Sequence, residues 1–156
     1  EPGWLLVRLP SGESGYVQAG DVRLSEAAAP APRLTGPELV AQARRFLGLP
    51  YLWGGMTPWG VDCSGFVAAV YRSGGRILPR DADLQFEDPQ ARAVEPAALE
   101  PGDLVFFGHP SVSHVGLYAG EGRFVHATTH ERPVVQESRL DEPHWRELYR
   151  GARRPR

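Results

Sequence analysis

Residues 103–128 read DLVFFGHPSVSHVGLYAGEGRFVHAT, and this stretch decides the fold. Three runs, 103–107, 114–119 and 123–128, are apolar and rich in Val, Phe and Tyr, with Gly and Pro in the breaks between them. That is the pattern of successive strands joined by short turns. Side chains alternate across a strand, so His114, Gly116 and Tyr118 share one face, and Phe124, His126 and Thr128 share another. Whether these two faces coincide depends on the loop. A three-residue loop, 120–122, pairs Ala119 with Arg123 and sets His126 opposite Gly116. Both imidazoles then lie on one face as diagonal neighbours, with Cβ atoms roughly 6–8 Å apart. A two-residue loop sets His126 opposite Leu117 and divides the histidines between faces. Glycine at both ends of the loop favours the odd-length, bulged hairpin, and Gly116 leaves room for a ring across from it.

Further strands are expected at 134–138 and, more weakly, at 148–152. Upstream the period is helical. Thr35 to Glu38 (TGPE) has the spacing of a capping box with Pro37 in the first turn, and Leu39, Val40, Ala43, Phe46 and Leu47 recur at helical intervals up to Gly48. A Gly- and aromatic-rich loop spans 51–60. A second helix begins near Cys63, with Phe66, Val67, Val70 and Tyr71 on its apolar face and Gly74-Gly75 at its end. Residues 84–88 suggest one further helical turn. Helices followed by a run of strands predict an α+β fold with an antiparallel sheet. At the start, Leu5, Val7 and Leu9 alternate, 10–15 is turn-rich and Tyr16-Val17 resumes the apolar pattern, so residues 1–24 read as short strands too few to close a domain alone. Residues 25–34 form an Ala/Pro linker, which leaves 35–156 as the main domain.

At 156 residues the chain can bury roughly two thirds of its unfolded surface in one core, favouring one domain with an appendage. The net charge of -2 gives no electrostatic reason to expect a nucleic acid or an acidic membrane as partner. No apolar run approaches the ~18 residues of a membrane span. No basic stretch followed by an apolar one opens the chain, so no signal peptide is expected within it.

The single cysteine excludes an internal disulfide, and a lone cysteine accompanied by histidines is a candidate nucleophile. GVDCSG (60–65) puts Cys63 at a helix N-terminus, where free N–H groups and the dipole lower a thiol pKa and can hold an oxyanion. The alternative is a buried, inert thiol. A thiolate needs a base, and the base an orienting partner; His114 and His126 are the candidates. Zinc would need three or four converging ligands, so no metal is expected, and His109, His130 and His144 read as surface residues.

Five stretches, 50–55 (PYLWGG), 61–67 (VDCSGFV), 78–85 (LPRDADLQ), 101–107 (PGDLVFF) and 114–127, together resemble the NlpC/P60 family of bacterial cell-wall cysteine peptidases, in the family's order. The resemblance implies a papain-like α+β fold and a Cys63, His114, His126 triad. It also implies cleavage after γ-D-glutamate in peptidoglycan stem peptides, next to meso-diaminopimelate or lysine, with no metal or organic cofactor. Residues 1–24 look like the end of a bacterial SH3-like (SH3b) domain. The resemblance is strongest to the branch that accepts a free N-terminal L-alanine, in which the Asp before the nucleophile, here Asp62, binds the substrate amine. It further implicates Tyr51, Trp53, Ser64 and Asp81 around the substrate; Arg80 reads as an ion-pair partner. The rival readings are an amidase at the sugar–peptide junction and a wall-binding protein without catalysis. Localisation stays open between the envelope and the cytoplasm, where a peptide-recycling enzyme would act.

Overall fold

The computed structural model describes residues 3–8, 13–22, 24 and 33–156. The chain divides into two units, Glu1–Pro30 and Ala31–Arg156. In the first, β1 (Trp4–Arg8) and β2 (Ser14–Gln18) form an antiparallel hairpin, with Leu5 opposite Val17 and Val7 opposite Gly15. Leu9, and residues 25–32 of the expected linker, lie outside the described residues.

The second unit is α+β. Helix α1 (Gly36–Arg44) starts as the sequence suggests: Thr35 is the N-cap, and its N–H donates to Glu38 Oε2 at 2.7 Å in a capping box. The regular helix ends at Arg44, four residues before Gly48. Two short strands, β3 (Met56–Thr57) and β4 (Gly60–Val61), form a small hairpin in the loop before α2 (Cys63–Ser73). Helix α3 (Ala82–Glu87) begins two residues earlier than the turn expected at 84–88. The other strands are β5 (Ala91–Val94), β6 (Leu104–Phe107), β7 (His114–Gly120), β8 (Arg123–Thr128), β9 (Val134–Arg139) and β10 (Tyr149–Pro155). A short α4 (Pro143–Leu148) precedes β10. The main sheet is antiparallel, in the order β5-β10-β6-β7-β8-β9.

Both faces of that sheet are covered. Leu104, Phe106, Val115, Leu117 and Val125 meet the apolar faces of α1 and α2. Val105, Phe107, Tyr118 and Phe124 point the other way, against Trp145 of α4. The strand residues on either side therefore lose water on both faces, which is why β6 is buried along its whole length. No helix among the described residues is long and apolar enough to cross a membrane.

The hairpin joining β7 to β8 combines the two alternatives weighed above. Its turn has only two residues: Gly120 pairs with Arg123, and Glu121 (φ 53°) and Gly122 (φ 73°) both adopt positive φ, as a hairpin turn of the primed type requires. Ala119 does not pair with Arg123. Instead the register shifts between Tyr118 and Gly120, and this bulge restores the pairing of Tyr118 with Phe124 and Leu117 with Val125. His126 therefore lies across from Gly116.

Candidate active site

Asp62 is the N-cap of α2, and its Oδ1 accepts the Gly65 N–H at 2.6 Å. This orders the first turn and presents Cys63 as the first helical residue. Gln85 ties that turn down: its Nε2 donates to the carbonyls of Ser64 (3.2 Å) and Pro79 (2.8 Å). Arg80 reaches back to the same turn, donating to Asp62 Oδ2 at 2.6 Å, Asp62 Oδ1 at 3.1 Å and Ser64 Oγ at 2.9 Å. The expected ion pair of Arg80 is present. The same side chain also lines the cleft, which the sequence reading did not foresee.

That cleft has a volume of about 490 Å³, and Tyr51, Trp53, Asp62, Cys63, Ser64 and Asp81 all line it, together with Ser113. Trp53 is 87% exposed, so its indole is available to a ligand rather than packed in the loop. Asp81 stands at the N-cap position of α3 but makes no capping hydrogen bond; its carboxylate, largely exposed, approaches Arg80 at 3.8 Å.

The Cys63 sulfur lies against the start of β7. Its Sγ is 4.0 Å from the Ser113 carbonyl oxygen, and the backbone N–H groups of Val115, Ser64 and Cys63 act on it. Burial dominates here and pushes the thiol up, those N–H groups oppose it, and the Asp62 charge adds to the rise. The lowering expected from the helix N-terminus is thus outweighed. Burial also pushes Tyr51 up, with the Cys63 and Asp62 charges adding to it.

The two histidines share the face of the sheet that α4 covers. His114 Nε2 and His126 Nδ1 are 2.8 Å apart, and the rings meet edge-on with centroids 5.0 Å apart. His126 Nε2 is 3.1 Å from Ser138 Oγ. Trp145 stacks on His114 (5.2 Å) and meets His126 edge-on (4.7 Å). His126 has no exposed surface, while His114 is only partly buried. Burial, reinforced by the neighbouring His144, pushes His114 down to about 3; burial likewise lowers His126, with His114, His130 and His144 adding to the effect. Both rings are therefore neutral near pH 7.

His109 and His144 are exposed, as expected, and His130 is half-buried; His130 and His144 stack on each other at 3.9 Å, and both abut Trp145. Among the described residues no three His, Cys, Asp or Glu side chains converge in a way that could hold a metal ion. Sequence reasoning missed Ser138 and Trp145; neither carries a local signal.

Gly116 is the hinge of this geometry. A Cβ there would sit 2.5 Å from Phe124 Cδ2 and 3.2 Å from the His126 Cβ. Gly116→Ala is therefore expected to cost about 1–3 kcal/mol of stability, the usual penalty of overpacking, measured by urea unfolding. It should also displace His126.

A family model described as NlpC/P60 family matches residues 48–154. The chain is 37% identical over 155 residues to the gamma-D-glutamyl-L-lysine dipeptidyl-peptidase of Bacillus cereus, covering 95% of this chain and 45% of that protein. The Bacillus subtilis protein of the same name is 35% identical over 131 residues, covering 81% of this chain and 42% of its own length. The crystal structure of an NlpC/P60 family protein from Bacillus cereus superposes with a TM-score of 0.83 at 35% identity, over 99% of this chain and 51% of that one. The chain thus spans about half the length of these relatives. By motif order, sheet topology and these matches, the chain belongs to the NlpC/P60 family.

Proposed function

We propose that the chain carries the catalytic domain (35–156) of a cysteine endopeptidase that cleaves the γ-D-glutamyl–diamino acid bond of peptidoglycan stem peptides. Residues 1–24 are then the end of an SH3b-like domain and 25–34 the linker. The observation that carries the reading is one juxtaposition: Cys63 lines an open cleft and contacts the backbone beside His114, and His114 is hydrogen-bonded to His126 at 2.8 Å.

Because His114 Nε2 faces His126, its Nδ1 is the nitrogen left to take the thiol proton. The sulfur attacks the γ-carbonyl carbon, and the proton passes to His114. The N–H groups at the start of α2 stabilise the oxyanion. His114 then protonates the leaving amine of the diamino acid, and water, activated by the same ring, hydrolyses the thioester. The wall of the cleft holds three carboxylates, Asp62, Asp81 and Asp83, against the one guanidinium of Arg80. That balance favours a cationic group and supports recognition of a free L-alanine amine. Asp62 Oδ2 accepts from Arg80 alone among its hydrogen bonds, so it retains acceptor capacity.

The test is digestion of tri- and tetrapeptides based on L-Ala-γ-D-Glu-meso-diaminopimelate, with the alanine amine free or acetylated, followed by mass spectrometry. L-Ala-γ-D-Glu should be released, at least about tenfold faster from the free amine, the scale of one lost charge-assisted hydrogen bond. A cut at the sugar–alanine junction of muropeptides would make the protein an amidase instead. Binding without any cut would make it a wall-binding protein.

A further inference from the structure

Ser138 has no place in the Cys63, His114, His126 set, yet its hydroxyl closes the far end of it. We propose that Ser138 is a positioning residue, which accepts the Nε2–H of His126 and so holds that ring in the only tautomer that leaves His114 free to act as a base. The proposal rests on the catalytic reading above.

The geometry follows from register. Strands β8 and β9 pair without a bulge, His126 opposite Gln136 and Phe124 opposite Ser138. Ser138 is thus the diagonal neighbour of His126 on the face that His126 shares with His114. The step from His114 to His126 is the same diagonal, across from Gly116. A hydrogen-bonded chain therefore crosses three adjacent strands in two like steps, of 2.8 Å and 3.1 Å.

Proton accounting gives each contact its direction. To accept the thiol proton at Nδ1, neutral His114 must carry its hydrogen on Nε2 and donate it to His126 Nδ1. His126 is fully buried and neutral, so with Nδ1 bare its one hydrogen is on Nε2, where Ser138 Oγ accepts it. In the opposite tautomer His126 donates from Nδ1, His114 accepts at Nε2, and the His114 hydrogen moves to Nδ1, against the thiol. That ring cannot take a proton from sulfur, which is how a misassigned tautomer disables a base. A serine hydroxyl can serve either tautomer, so the preference appears when it is removed. The competent tautomer is then left with a buried, unpaired N–H, and the incompetent one with a bare nitrogen. Orphaned N–H groups are the rarer and costlier of the two in protein interiors.

Ser138→Ala is expected to lower kcat roughly 10- to 100-fold with little change in KM, less than the ~10⁴-fold loss when an anionic orienting group is replaced. Ser138→Thr, which keeps the hydroxyl, should restore most of it. The decisive readout is nitrogen-15 NMR of the imidazoles at neutral pH. It should show His126 protonated on Nε2 in the parent and the Thr variant, and shifted towards Nδ1 in the Ala variant. Unchanged kcat in Ser138→Ala, or reduced kcat with the His126 tautomer unaltered, would overturn the proposal. So would a parent His126 protonated on Nδ1. The NMR arm needs no substrate, so a failure of the endopeptidase reading, seen as no cleavage by the parent protein, is told apart from a failure of the tautomer assignment.

Discussion

Cys63→Ala is expected to abolish cleavage of L-Ala-γ-D-Glu-meso-diaminopimelate, with a loss of at least about 10⁴-fold in kcat, the scale seen when a nucleophile is deleted from a working triad. No other thiol exists in the chain to take its place. The rest of the site does not depend on the sulfur. The first turn of α2 is held by Asp62, Arg80 and Gln85, and the histidine pair by β7, β8 and Trp145. Removing one buried sulfur should therefore change stability by less than about 1.5 kcal/mol. Peptide cleavage and urea unfolding of the same preparation measure the two effects. A large loss of activity with stability intact is the expected pair.

The second large effect is acid lability. His114 is held at about 3 and His126 is also lowered, both chiefly by burial, against an ordinary value of 6.5. The unfolded chain therefore binds protons at these two positions at pH values where the folded chain does not. Stability is complete above about pH 6.5 and is lost as pH falls from there towards 3. Each histidine contributes a loss of up to about 1.4 kcal/mol per pH unit. His114 alone can remove on the order of 2–3 kcal/mol within two units, a sizeable part of the stability of a modest domain, and His126 adds to the loss in the same direction. Unfolding free energies from urea titrations at pH 7, 5.5 and 4.5 should fall steeply. His126→Asn should flatten the slope, since it removes one of the two titrating rings. A profile unchanged between pH 7 and 4.5 would contradict the burial of the pair.

Most of the site is legible in sequence because local rules place it. GVDCSG signals a capped helix with sulfur at its mouth, and TGPE marks the start of α1. The histidine register needed one further argument, that glycines at 120 and 122 permit an odd offset. The offset holds, although its source is a bulge at Ala119 beside a two-residue turn rather than a longer loop. Both routes insert one residue, and periodicity cannot tell them apart. Strand β5 (ARAV) alternates too little to stand out. Helix α4 has six residues, fewer than two turns, so no apolar stripe can develop. Trp145 and Ser138 become part of the site only when α4 folds over the sheet and β9 pairs with β8. A serine in a strand reads as solvent-facing until its neighbour is known to be a buried imidazole. Arg80 is the intermediate case. Its charge partner was foreseeable, but its place on the cleft wall required α3 and α2 to be set side by side.

The central claim is that a sulfur at the mouth of α2 works with the paired imidazoles by forming an acyl bond to the glutamyl carbonyl. The most direct test is intact-protein and peptide mass spectrometry of the parent chain, acid-quenched during turnover of L-Ala-γ-D-Glu-meso-diaminopimelate. The account predicts an L-Ala-γ-D-Glu adduct on the peptide that contains Cys63, forming and then decaying as substrate is exhausted, and absent from Cys63→Ala. Turnover with the adduct on another residue, or cleavage that persists in Cys63→Ala, would contradict it.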